Sequence, residues 1–308
     1  MAKIRVGVLR GGPYSEFEAS LQSGANALKY LPRNKYELKD ILWTKDGIWH
    51  LDGFPLPPEK LAHKIDVVFN ALHGRLKGYK KAEQSFKTLG LPVTGSDAVS
   101  AAAAGNKIIS RKIFESHGLK VPHAVVVSRL SDRKKMVSTA RETLFPWWVI
   151  KPAQANSALQ ILAKSEPEIV RALDKIFETP DCKEALIEEN LDGRVASGGV
   201  LENFHGQKYY ALPVVEICDP KRGGMICPGR FDKATTDKIK ESSIVAHQAL
   251  GCRHYSRTEF TLSKRGIYIN KANALPKLTP EACYPEAANV AGLSFKGLLE
   301  HLISEARK

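Results

Sequence analysis

The run Ile65–Leu72 (IDVVFNAL) is apolar at almost every position, and no other feature constrains the fold as much. A strand with one wet face alternates in polarity. A strand with no polar face must be covered on both sides, the condition of a parallel strand inside an α/β layer. Val6, Val8 and Leu9 form a second such run that ends at Gly11-Gly12, as expected of a buried strand entering a tight turn. A helix is expected from Ser15 to about Leu28, with Leu21, Ala25 and Leu28 on one face. A further helix near 79–89 and a short strand at Leu91–Thr94 complete a small doubly wound unit.

Downstream the periodicity changes. Alternating residues near 123–128 and 147–151 predict strands, with helices at 131–142 and Pro167–Phe177 and a strand at Ala185–Glu189. Gly193–Val200 and Tyr209–Ile217 read as antiparallel strands. Asp232 is placed to cap a long helix reaching Ala249. Phe260–Ile269 predict a hairpin turning near Lys264-Arg265-Gly266, and Leu293–Ala306 a closing helix. Boundaries are expected near residues 97 and 188, giving domains 1–97, 98–188 and 189–308.

The chain is 43% hydrophobic and 26% charged, ordinary for a globular protein. No apolar run approaches the roughly 20 residues that span a bilayer. The N-terminal MAKIRVGVLRGG is too interrupted for a secretory core. Five scattered cysteines without CxxC spacing argue against a disulfide frame or a zinc site. A cytoplasmic location is therefore expected. The formal charge of +13 would suit anionic ligands. No long basic block or nucleic-acid signature accompanies it, so nucleic acid is not an expected partner.

Local motifs then narrow the reading. Gly11-Gly12-Pro13 with Glu16 and Ser20-Leu21, Asn70–Arg75 (NALHGR), Leu91–Ser96 (LPVTGS), Asn106-Lys107 and Ile150–Pro152 stand in order along the first half. Ala211–Ile217 (ALPVVEI), Cys227-Pro228, Leu250–Phe260 and Asn273–Pro285 (NALPKLTPEACYP) follow. This series resembles the D-alanine–D-alanine ligases of the ATP-grasp superfamily. The resemblance implies an α/β, three-domain fold: an N-terminal doubly wound α/β domain, a small central α+β domain and a C-terminal domain with an antiparallel sheet. It implies ATP and magnesium as cofactors, a nucleotide and a D-amino acid as ligands, and a homodimer formed through the N-terminal domain. In that family ATP phosphorylates one D-alanine and the amine of a second attacks the acyl phosphate, which calls for a cationic phosphate cage and oxyanion donors.

Carried over residue by residue, Lys107 and Lys151 match the lysines that contact ATP phosphates. Glu188, Glu189 and Leu191 match the strand and hinge beside the adenine. Arg257 matches the arginine at the transferring phosphate, Glu16 the acid that holds the first ammonium, His73 the nearby histidine and Ser157 a serine of the phosphate loop. Glu16 would serve equally well as an acid in a helix's first turn, and His73 as a satisfied buried histidine.

Other positions depart from the pattern. The metal-binding aspartate, glutamate and asparagine read here as Glu259, Lys271 and Asn273. Magnesium seeks anionic oxygens, and an ammonium about 4 Å away opposes it by on the order of 4 kcal/mol at a surface-like dielectric. Both glycines of the phosphate loop are missing from Ala153–Gln160, Val195 stands at the ribose-contacting glutamate, and Lys277 and Ala282 replace a glycine and a serine beside the oxyanion. The closing segment Asp219–Ile226 is short. These losses predict an impaired ligase or pseudoenzyme, with Lys271 pairing across a hairpin with Glu259. An active ligase with altered substrate or metal dependence and a basic anion- or nucleic-acid-binding module remain as alternatives.

Overall fold

A computed structural model of the chain describes residues 2–13, 16–73, 79–154, 159–179, 182–219 and 224–308. The first sheet has the order β4-β3-β2-β1-β5, from β1 (Ile4–Gly11), β2 (Tyr36–Trp43), β3 (Trp49–Leu51), β4 (Phe54–Pro55) and β5 (Val67–Asn70). β1 is parallel to both neighbours, while β3 and β4 add an antiparallel edge. Val6, Val8, Val67 and Phe69 enter one hydrophobic cluster, and Leu9, Ile41 and Val68 enter another. The alternate residues of β1 and β5 thus point into two separate cores, which is why neither strand has a polar face. Helix α1 (Phe17–Tyr30) covers the first side and α2 (Tyr79–Thr88) the second. At Gly11, φ is +90° and an added Cβ would lie 2.3 Å from the Trp43 carbonyl oxygen. Only glycine fits that exit from β1.

Two helices, α3 (Ala98–Gly105) and α4 (Lys107–Ser116), lead to a second, wholly antiparallel sheet ordered β6-β9-β7-β8. Its strands are β6 (Ala124–Ser128), β7 (Trp148–Pro152), β8 (Ile161–Ala163) and β9 (Glu184–Glu189). Helices α5 (Arg133–Thr143) and α6 (Glu166–Phe177) pack on it around Val137, Ile150, Ile169, Leu173 and Ile187. Pro167 lies in the first turn of α6, where its missing N–H costs nothing.

The third sheet runs β13-β12-β10-β14-β15, with β11 also paired to β10. It comprises β10 (Arg194–Phe204), β11 (Gln207–Ala211), β12 (Val215–Asp219), β13 (Gly224–Ile226), β14 (Tyr255–Ser263) and β15 (Gly266–Asn273). Helix α7 (Lys233–Ala249), capped by Asp232 accepting from the Thr235 amide, lies against it. α8 (Cys283–Val290) and α9 (Phe295–Ala306) close the chain. One hydrophobic cluster runs from Val8 and Phe69 through α9 to Phe260 and Ile269, so the first and third sheets share a core.

Two expectations need correction. Leu91–Thr94 is not a strand but an extended segment with a single bridge, Val68 to Val93, because Thr94 turns its hydroxyl to the Asn70 amide. Tyr209–Ile217 is two strands, separated where the Leu212 amide bonds back to the Gly199 carbonyl. Strands β2 to β4 were not foreseen at all.

Candidate functional site

The hairpin of β14 and β15 turns at Ser263↔Gly266 and keeps regular register as far as Phe260↔Ile269. A bulge then intervenes, and the next pair is Glu259↔Lys271, with Asn270 left over. Asn270 is held by its amide donating to the Thr261 hydroxyl at 2.8 Å. A one-residue slip moves every later side chain to the other face of the strand. Continued without the bulge, Lys271 would lie opposite Thr258 on the face that packs toward α7. With it, Arg257, Glu259, Lys271 and Asn273 project from one face.

On that face Glu259 is held by two cations. Its Oε1 lies 2.5 Å from Arg257 Nη2 and 3.2 Å from Lys271 Nζ, so the cross-strand pair expected from the sequence forms. All three side chains are a quarter exposed or less. Burial works to raise the Glu259 carboxyl, but the fields of Arg257 and Lys271 outweigh it and hold it below the ordinary glutamate value. Cys283 at the start of α8 borders Arg257.

Lys107 comes from the second sheet's side. Asn106 caps α4 by accepting from the amides of Ile108 and Ile109. That fixes Lys107 in the first turn, where its amide reaches the Ala153 carbonyl and its Nζ donates to the Pro152 carbonyl at 3.0 Å. Burial lowers its ammonium to about 8; Lys151 and Lys271 add to the effect and Glu188 opposes it. Lys151 on β7 meets Glu188 on β9 at 2.6 Å, and Arg111, one helical turn beyond Lys107, approaches the other oxygen of Glu188 at 3.4 Å. Glu188 is 3% exposed. Arg111 was not anticipated, although its i+4 spacing from Lys107 on a helix was available as a signal.

Glu188 and Glu189 do not act together, because adjacent strand residues face opposite ways. Glu189, fully buried, accepts from the His123 amide at 3.0 Å and from Arg265 at 2.7 Å. It ties the second sheet to the tip of the β14–β15 hairpin. Leu191 lies half-buried in the short connection from β9 to β10.

His73 is 6% exposed and has both ring nitrogens engaged. Nδ1 lies 3.1 Å from the Leu275 carbonyl and Nε2 lies 2.7 Å from Ser23 Oγ. Burial lowers its pKa to about 4 against the carbonyl's opposing pull. The neutral ring therefore donates to Leu275 and accepts from Ser23, whose oxygen also takes the Leu278 amide. His73 is a tie between α1 and the loop after β15. Glu16 sits at the start of α1 without a side-chain capping bond, half-buried. Ser157 lies outside the described residues.

Magnesium does not fit this donor set. It would meet one carboxylate already shared by two cations, one ammonium and one amide, Asn273. No group of three His, Cys, Asp or Glu side chains among the described residues is arranged to hold a metal ion. A separate, mainly apolar concavity of about 510 Å³ lies at the β3–β4 edge beside the stacked Trp43 and Trp49, away from these cations.

Two sheets bringing lysines together behind an α/β domain define an ATP-grasp protein. A model of the D-ala D-ala ligase C-terminus matches residues 113–304. The D-alanine–D-alanine ligase of Syntrophobacter fumaroxidans is 32% identical, with 99% of this chain and 98% of that one covered. The ligase of Geobacter sulfurreducens is 30% identical over 98% of this chain and 94% of its own. Among solved structures, the VanG D-Ala:D-Ser ligase from Enterococcus faecalis superposes with a TM-score of 0.86 at 24% identity, covering 99% of this chain and 100% of that one. A Bacillus anthracis D-alanine–D-alanine ligase complexed with ATP gives 0.81 at 24% identity, covering 98% and 96%. The chain belongs to the D-alanine–D-alanine ligase family.

Proposed function

We propose that this protein keeps a nucleotide cleft of the ligase type but is impaired in metal-assisted phosphoryl transfer to a D-amino acid. The observation that carries the reading is Lys271 Nζ at 3.2 Å from Glu259 Oε1. The carboxylate that should meet a divalent ion is instead neutralised by Arg257 and Lys271, and the second carboxylate is absent. Lys107 and Lys151 are assigned to the triphosphate, Arg257 to the transferring phosphate and the oxyanion, and Glu16 to a substrate ammonium. His73, with both nitrogens engaged, is assigned a positioning role. With no second acid to hold a divalent ion, only Arg257 and the lysines meet the charge of the γ-phosphoryl group as it transfers, so the transition state loses the part of its electrostatic support that a bridging metal supplies.

The domains are assigned as residues 1–97, 98–188 and 189–308, with a homodimer through the first and a cytoplasmic setting. A phosphate-release assay with ATP, magnesium and D-alanine tests the function. Turnover below roughly 0.1 per second is expected, well under the median enzyme rate of about 10 per second; sustained turnover above it would discard the reading. The other reading, an active ligase of altered metal dependence, is favoured by the presence of Lys107, Lys151 and Arg257 together, and the same assay repeated with manganese and with other D-amino acids separates the two.

A further inference from the structure

We infer that the cleft binds a polyphosphate anion without a divalent ion, with the Lys271 ammonium standing where the metal would. This rests on the proposed nucleotide cleft and deepens it. Exchanging a carboxylate for an ammonium changes the local charge by two units, the charge of one divalent ion. The bulge beside Asn270 puts that ammonium on the same face as Arg257 rather than on the face toward α7. Glu259 already has a bond from Arg257 at 2.5 Å, so Lys271 can turn toward a phosphate without leaving the carboxylate unpaired. Across the cleft, Lys151 and Arg111 share the single carboxylate of Glu188, and Lys107 lies within the fields of both Lys151 and Lys271.

Among the described residues these five cations face two buried carboxylates, Glu188 and Glu259, with the exposed Glu115 at 3.9 Å from Arg111 as a third. The excess suits the fully ionised triphosphate better than its magnesium complex, whose charge is lower by two. Lysine binds phosphate as a compact point charge, which is also how a metal ion acts electrostatically. The ligand class is thus a nucleoside triphosphate or another polyphosphate in its metal-free form.

The test is calorimetric titration of the full chain with ATP, once in EDTA and once in excess magnesium, with thermal unfolding as a check on each variant. The wild-type dissociation constant is expected to change by less than about threefold between the two buffers. Lys271→Gln should weaken binding in EDTA by about tenfold, the loss of one charge-assisted contact. Lys271→Glu should bind ATP only when magnesium is present, since it restores a second acid. Inorganic tripolyphosphate should displace ATP in EDTA. Wild-type binding at least tenfold tighter with magnesium, absence of binding in both buffers, or Lys271→Gln binding as the wild type does would each overturn the inference. If Lys271→Glu fails to fold, the wild type and Lys271→Gln still decide. Magnesium-dependent binding without turnover would sink this inference and leave the proposed function standing, whereas rapid D-alanine-dependent turnover would do the reverse.

Discussion

Replacing Glu188 by Gln removes the carboxylate that Lys151 and Arg111 share while preserving shape. The Lys151–Glu188 contact is 2.6 Å long, between side chains 14% and 3% exposed. At an effective dielectric near 20 its Coulomb attraction is about 6 kcal/mol, much of which offsets the desolvation of the two ions. The substitution leaves the cost of desolvation on the lysine and removes the attraction. Breaking one side of a buried pair typically costs about 3–5 kcal/mol. The amide still accepts one hydrogen bond, which places the expected loss near the lower end, about 3 kcal/mol. For a chain of this size that is a fall in Tm of roughly 5 °C.

Circular dichroism melts of wild type, Glu188→Gln, Lys151→Met and the double variant would measure it. A coupling of about 2 kcal/mol or more between the two sites is expected. Saturating tripolyphosphate should recover part of the loss in Glu188→Gln, because the anion then serves as counter-ion to Lys151. A Tm change within about 2 °C, or additivity within roughly 0.5 kcal/mol, would show that Glu188 does not hold the lysine, and the electrostatic account of the cleft would be wrong.

Two further outcomes follow from the same geometry. His73 is held at about 4 in the fold, below its unfolded value near 6.5, so the unfolded chain takes up a proton that the folded chain refuses. Stability from this group is complete above pH 6.5 and is lost as pH falls toward about 4; at pH 5 the loss is about 2 kcal/mol, and urea midpoints at pH 7 and pH 5 should show it in the wild type but not in His73→Gln. At Gly95, φ is +86° and an added Cβ would lie 2.5 Å from Leu275 Cδ2, whereas Gly90, φ +64°, has open space. Gly95→Ala should cost about 1–3 kcal/mol more than Gly90→Ala in urea unfolding, and equal costs would rule out the steric argument.

Much of the site was legible in residue order alone. Gly11 marked a turn because no other residue tolerates its φ beside Trp43, and the ordered motifs pointed to Lys107, Lys151 and Arg257; helices α3 and α4, with the Asn106 cap that seats Lys107, were not read from the sequence. Arg111 escaped notice because its partner Glu188 is 77 residues away, a distance that no local pattern spans. Strands β2 to β4 escaped because Tyr36–Trp43 mixes charged and apolar residues and buries only Tyr36, Ile41 and Trp43, without the uninterrupted apolar run that announces β1 and β5. His73 was the reverse case: the motif suggested a site residue, and burial with two satisfied nitrogens made it a tie between α1 and the loop after β15.

The chain's own chemistry determined that a metal cage would be hard to build, since a lysine replaces an acid whatever the fold does. It did not determine where that lysine points. A hairpin counted back from the turn at Ser263 and Gly266 pairs Glu259 with Asn270 and turns Lys271 to the opposite face. Only the bulge, which skips Asn270, brings Lys271 to Glu259 and into the cleft. The reason is the two-residue period of a strand: one inserted residue reverses every side chain beyond it, and whether the backbone makes that insertion depends on how both strands pack against the rest of the sheet and α7.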